Sequence, residues 1–139
     1  LIVDNHLLRE LGAEIVEALE HSVGQYPLES GGFLHVSGMK FTYDSSKEKG
    51  GRVVTAEVKQ NDGTYKAIEA DQMYTVATNA FTAKGGDGYT VFKNAYEAGR
   101  VTDYGLADWE TFTDYLKTIP GNKVSPVIEG RIINKAVQK

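Results

Sequence analysis

The chain lacks cysteine altogether and has only three prolines, three histidines and one tryptophan among its 139 residues. Without cysteine, disulfides and thiolate chemistry are excluded, which suits the cytosol or a bacterial secreted protein that avoids thiols. The histidines His6, His21 and His35 show no metal-ligand spacing such as His-Glu-x-x-His, and each reads as a structural or surface residue. Ser22, Ser30, Ser37, Ser45, Ser46 and Ser125 include no Gly-x-Ser-x-Gly elbow, so a serine hydrolase is not expected. No stretch approaches the ~20 apolar residues needed to cross a bilayer, and the first residues do not follow a basic-then-apolar signal pattern. Lys and Arg are scattered. With a net charge of −4, nucleic acid and anionic membranes are not expected partners.

What is present describes one globular domain. At 41% apolar and 24% charged residues, a chain of this length can bury a core. No repeat or low-complexity linker marks an internal boundary. Leu8, Leu11, Ile15, Ala18 and Leu19 share a helical face, with Gly24 and Pro27 ending the run. Phe33 to Ser37 is a short apolar run read as strand, with His35 in it and Phe33 packed in the core. Met39, Phe41 and Tyr43 alternate with polar residues, the period-two mark of a half-buried strand. Val54, Ala56 and Val58 alternate less cleanly, and Asn61-Asp62-Gly63 turns that strand into Thr64 to Ile68. Met73 to Thr78 is a further strand. Trp109, Phe112, Leu116 and Ile119 follow helical spacing between Asp108 and Pro120-Gly121. The order of elements predicts an α+β fold, with helices covering a mixed, mostly antiparallel sheet.

The segment from Thr78 to Tyr89 carries the strongest local signal. A β-like run delivers Phe81 and then Gly85, Gly86 and Gly88 around a single carboxylate, Asp87. Glycine permits positive φ and lets backbone approach a bound group, as expected of a ligand-contacting loop. Tyr89 to Ala98 reads as a helix stopped by Gly99, which would place Asp87 at its N-terminus. Two readings of Asp87 stay open: an N-cap worth about 1 kcal/mol, or a ligand contact. The loop lacks the Gly-Lys-Ser/Thr of a phosphate-binding P-loop and the Gly-x-Gly-x-x-Gly of a dinucleotide site. Asp4-Asn5-His6 matches the Asp-x-His opening of two-metal phosphoesterases. No downstream segment supplies the second Asp and the further His or Asn ligands, so the match reads as a decoy. On its residues alone, the chain is a binding domain without catalytic machinery.

Three segments together resemble the C-terminal domain of the 5′-nucleotidase family. They are Ala18-Leu19-Glu20-His21-Ser22 followed by Gly32-Phe33-Leu34-His35-Val36-Ser37-Gly38; Phe81 to Tyr89; and Val127-Ile128-Glu129-Gly130-Arg131-Ile132. The resemblance covers essentially the whole chain, and Phe-x-x-x-Gly-Gly-Asp-Gly-Tyr is its most specific element. It implies a substrate-recognition domain over residues 1–139, short of the family's N-terminal edge, that holds a nucleotide or nucleoside. The partner it implies is an N-terminal metallophosphoesterase domain that carries two divalent metal ions and the hydrolytic chemistry; no cofactor is expected in this chain. Localisation would be extracellular, in the cell wall or in the periplasm.

By the same resemblance Phe81 stacks on the base, although taken alone it reads as a core aromatic. Asp87 takes the ribose hydroxyls, and Gly85, Gly86 and Gly88 line the substrate. The chain also departs from the family. The second stacking Phe belongs to a Pro-Phe-x-Asn segment, where Val3 stands here, and the arginines directed toward the phosphate would precede Leu1. Such departures fit an excised portion of a longer enzyme or a divergent copy. The alternative function is a non-catalytic nucleoside-binding or protein-interaction module with a decayed pocket.

Overall fold

The computed structural model describes residues 6–105 and 107–137, so Val3, Asp4 and Asn5 lie outside the described residues. In chain order the elements are β1 (His6–Leu11), α1 (Gly12–Val23), β2 (Met39–Tyr43), β3 (Val53–Lys59), β4 (Tyr65–Ala67), β5 (Met73–Thr78), α2 (Ala80–Ala83), α3 (Thr90–Glu97), β6 (Val101–Asp103), α4 (Asp108–Thr118) and β7 (Ile132–Asn134). The fold is α+β, and the strands form two sheets ordered β5-β1-β6 and β4-β3-β2-β7. Antiparallel pairing predominates, with β7 added parallel to β2. The chain divides into two compact units, one of residues up to Glu10 with Thr75–Glu129, the other of Leu11–Tyr74 with Gly130 onward. Each unit is assembled from separated stretches, so no linker in the sequence announces the division.

In the unit built on the four-stranded sheet, alternation along β2 turns Phe41 and Tyr43 inward, where they pack with Ala56 of β3 and with Leu19 and Val23 of α1. Val16, Phe33, Met39, Ile68 and Ile132 close around them. Polar groups at the rim are satisfied in pairs. The Glu20 carboxylate accepts the backbone N–H of Arg52 at 2.9 Å and of Val53 at 2.7 Å. Arg52 in turn donates to the carbonyls of Val23 and Tyr26, which caps the open end of α1. Ser22 Oγ accepts the N–H of Leu34 at 2.8 Å, tying the Ala18–Ser22 segment to the Gly32–Gly38 segment.

In the other unit, His6, Leu8 and Glu10 alternate inward along β1, and β6 pairs with it from Val101 to Asp103. Glu10 is fully buried with the Arg100 guanidinium 4.0 Å away. Arg100 also donates to the Arg9 carbonyl at 2.8 Å. His6 is 1% exposed, stacks on Tyr96 at 6.3 Å and lies 3.6 Å from Asp103. It is a packed interior residue.

Two expectations need correction. Leu8 and Leu11 belong to β1, and α1 starts only at Gly12, because backbone bonds from Gly12 to Gln72 and from Ala13 to Ala70 fix the break. A side chain at Gly12 would collide with the Glu69 carbonyl. The strand was hidden by burying His and Glu at positions where apolar residues ordinarily reveal the alternation. Phe33 to Ser37 forms no strand; Phe33 reaches the core from irregular backbone held by Ser22. Helix α4 lies where the spacing predicts it, with Trp109, Phe112 and Tyr115 exposed.

Candidate functional site

The site residues lie in one segment between β5 and α3. The run leading to Phe81 does not stay extended. Asn79, itself in extended backbone, accepts the N–H of Thr82 through its side chain at 2.8 Å and starts the single turn α2. The turn points Thr82 and Ala83 inward and leaves Phe81 61% exposed. Asn79 was not among the residues singled out from the sequence; an N-cap-type residue directly before Ala-Phe-Thr-Ala was the signal available for it.

After α2 the backbone alternates in handedness. Gly85 has φ 91°, Gly86 is helical, Asp87 has φ 54° and Gly88 has φ 83°. A short 3₁₀ turn over Gly86–Gly88 is closed by bonds from Gly88 N–H to the Gly85 carbonyl at 3.2 Å and from Tyr89 N–H to the Gly86 carbonyl at 3.3 Å. The three glycines serve different ends. Gly88 is needed for its φ, and Gly85 both for its φ and because a Cβ there would press on the aliphatic stem of Lys93. Gly86 has an ordinary φ and is needed for space, because a Cβ there would overlap the Phe81 ring. The stem of Lys93 is held in turn by an ion pair to Glu97 at 2.8 Å.

Asp87 is exposed and occupies the left-handed region, which Asp tolerates better than most side chains. It is not the N-cap of α3. That position is Tyr89, whose own side chain makes no capping bond. Tyr89 is 1% exposed and stacks on Phe92 at 5.4 Å, so the loop is pinned at its far end by a buried aromatic. Between the Asn79 cap and the Tyr89 anchor stands an open aromatic ring and, six residues on, an exposed carboxylate. These two groups can stack a flat ring and accept hydroxyl donors, the two interactions that a base and a sugar require.

Among the described residues no group of three or more His, Asp or Glu could hold a metal ion. Nor is any described helix long and apolar enough to cross a membrane.

Comparison with known proteins gives the family. Residues 7–94 match the family described as 5′-nucleotidase, C-terminal domain. The chain is 42% identical over 121 residues to the trifunctional nucleotide phosphoesterase protein YfkN of Bacillus subtilis, covering 87% of this chain and 8% of that protein. It is 33% identical over 129 residues to the human 5′-nucleotidase, covering 91% of this chain and 22% of the other. In structure it resembles a 5′-nucleotidase precursor from Thermus thermophilus, with a TM-score of 0.85 and 40% identity over 94% of this chain and 25% of that one. The chain thus spans less than a third of the length of these relatives. It belongs to the 5′-nucleotidase C-terminal domain family.

Proposed function

We propose that this domain holds the nucleoside part of a nucleotide for a 5′-nucleotidase-type phosphoesterase, with Phe81 as the stacking surface and Asp87 as the acceptor for the ribose hydroxyls. The observation that carries the reading is the exposure of Phe81. Surface aromatics are common singly, but this one stands on a capped turn, beside a backbone with positive φ at Gly85, Asp87 and Gly88. An open ring beside a glycine-rich loop, whose one non-glycine residue at positive φ is Asp87, fits a ligand-contacting loop. Names of relatives agree in class: nucleotide phosphoesterase and 5′-nucleotidase. Gly85 and Gly88 allow the loop backbone to lie close to the sugar.

Hydrolysis belongs to a partner domain in this reading. An N-terminal metallophosphoesterase domain supplies two divalent ions that activate water and polarise the phosphate. The relatives' names, which include snake-venom enzymes and a precursor, favour an extracellular, cell-wall or periplasmic setting. Two measurements test the proposal. Titrating adenosine into the isotopically labelled chain moves resonances confined to residues 79–89, and shifts confined to other residues would place the ligand elsewhere. With AMP and Mn²⁺ or Zn²⁺ the chain alone releases no phosphate above a no-protein control. Release that is lost in His6→Ala would overturn the division of labour.

A further inference from the structure

We infer that Gly86 is a positioning residue: its α-carbon backs one face of Phe81, so that only the opposite face is left to stack on a ligand. This rests on the proposed role of Phe81 and goes beyond the presence of glycine in the loop. A Cβ built on Gly86 would lie within 3.0 Å of Phe81 Cε1, Cδ1 and Cγ, at nearly equal distances from all three. At that range no point in the ring plane beyond its edge is so nearly equidistant from three successive ring atoms. The added carbon would therefore sit over the ring face, and the α-hydrogen it replaces points at the π-surface. Yet Phe81 keeps 61% of its surface exposed, so the covered face and the open face are different ones.

The ring, not the backbone, is what excludes a side chain at this position. Gly86 is not in the left-handed region, so alanine is acceptable there by φ and is excluded only by the ring. The two ends of the contact are fixed independently. The Asn79 cap sets the α2 turn that carries Phe81, and the bond from Tyr89 N–H to the Gly86 carbonyl sets Gly86. Phe81 is thereby held as a single-sided platform with its rotation restricted before any ligand arrives, which reduces the ordering cost of binding.

The contact can be tested without ligand. One Gly86 α-proton lies in the shielding cone of the ring and should resonate well upfield of its partner, returning to an ordinary shift in Phe81→Leu. If neither Gly86 α-proton responds to Phe81→Leu, the inference is wrong, whether or not the chain binds nucleosides. The functional consequence is read from Gly86→Ala. Loss of one stacked ring corresponds to a roughly 5- to 150-fold weakening, and Gly86→Ala should approach that loss for adenosine while Phe81 itself is unchanged. Wild-type affinity in Gly86→Ala would overturn the positioning role. A wild-type chain that fails to bind adenosine would instead sink the proposed function and leave the α-proton shift to decide the Gly86 contact.

Discussion

Phe41 and Phe81 are the same residue type placed under opposite constraints. Phe41, on β2, is 2% exposed and surrounded by Leu19, Val23, Tyr43 and Ala56 in ordinary strand backbone. Phe81 is 61% exposed, on a four-residue turn that leads into left-handed backbone. Around Phe41 every local choice serves burial: alternation puts the ring inside, and the Glu20 and Arg52 hydrogen bonds satisfy the backbone at the rim. Around Phe81, the Asn79 cap starts a turn that leaves the ring open, and Gly86 lies against it. What the pair teaches is that the same ring is buried where strand alternation turns it inward and left open where a capped turn leads into glycine-rich backbone.

The contrast breaks most visibly if the buried ring is truncated. Phe41→Ala should cost about 3–5 kcal/mol by removing a buried aromatic, read from urea unfolding. Glu20→Gln comes next. It turns one acceptor oxygen toward the Arg52 and Val53 N–H groups into a donor, and a loss of about 1.5–3 kcal/mol is expected for a charged hydrogen bond. A change below the error of the unfolding curve would mean that the carboxylate bracket is not what joins α1 to β3.

Asp87 sharpens the comparison from the other side. At φ 54° alanine is penalised by about 1–2 kcal/mol relative to residues that accept the left-handed region, whereas asparagine is accommodated nearly as well as aspartate. Asp87→Asn should thus leave the melting temperature almost fixed and weaken adenosine binding, with a smaller penalty for 2′-deoxyadenosine, which offers one hydroxyl fewer. Equal affinities for both nucleosides in wild type and Asp87→Asn would reduce Asp87 to a backbone role.

The smallest expected effect is one of pH. Burial, reinforced by the neighbouring Tyr26, holds the Tyr43 phenol above its ordinary 10.0 despite a hydrogen bond with Asn134. Because the folded state favours the neutral phenol, this contribution is complete below about pH 10 and is lost as pH rises through the raised folded value. Tyr43→Phe should flatten the alkaline limb of the stability curve while costing about 0.5–1.5 kcal/mol at neutral pH through the lost hydrogen bond. An alkaline limb unchanged by the substitution would assign it to other groups.

Most elements were legible where pattern and burial coincide. Strands β2, β3 and β5, the Asn61-Asp62-Gly63 turn and helix α3 lie where alternation, turn residues and helical spacing predict them. Asp62 even accepts the N–H and hydroxyl of Thr64, as its turn position implies. Strand β1 was obscured because His6 and Glu10 occupy inward positions, and the Phe33 segment because a side chain can enter a core from irregular backbone. At the loop, the residue types were readable but their division of labour was not. Positive φ at Gly85 and Gly88 follows from composition, whereas the Gly86 contact with Phe81 depends on a turn started by Asn79 that the extended-looking run concealed.

The most direct test of the central claim is Phe81→Ala, measured for melting temperature and for adenosine titration on the same sample. As a surface truncation it should shift stability by no more than about 0.5 kcal/mol, yet abolish the adenosine-dependent NMR shifts seen in the wild-type chain. A variant that melts much earlier, as Phe41→Ala should, or that keeps the full set of adenosine shifts, would show that Phe81 is a structural ring and not the platform on which the base stacks.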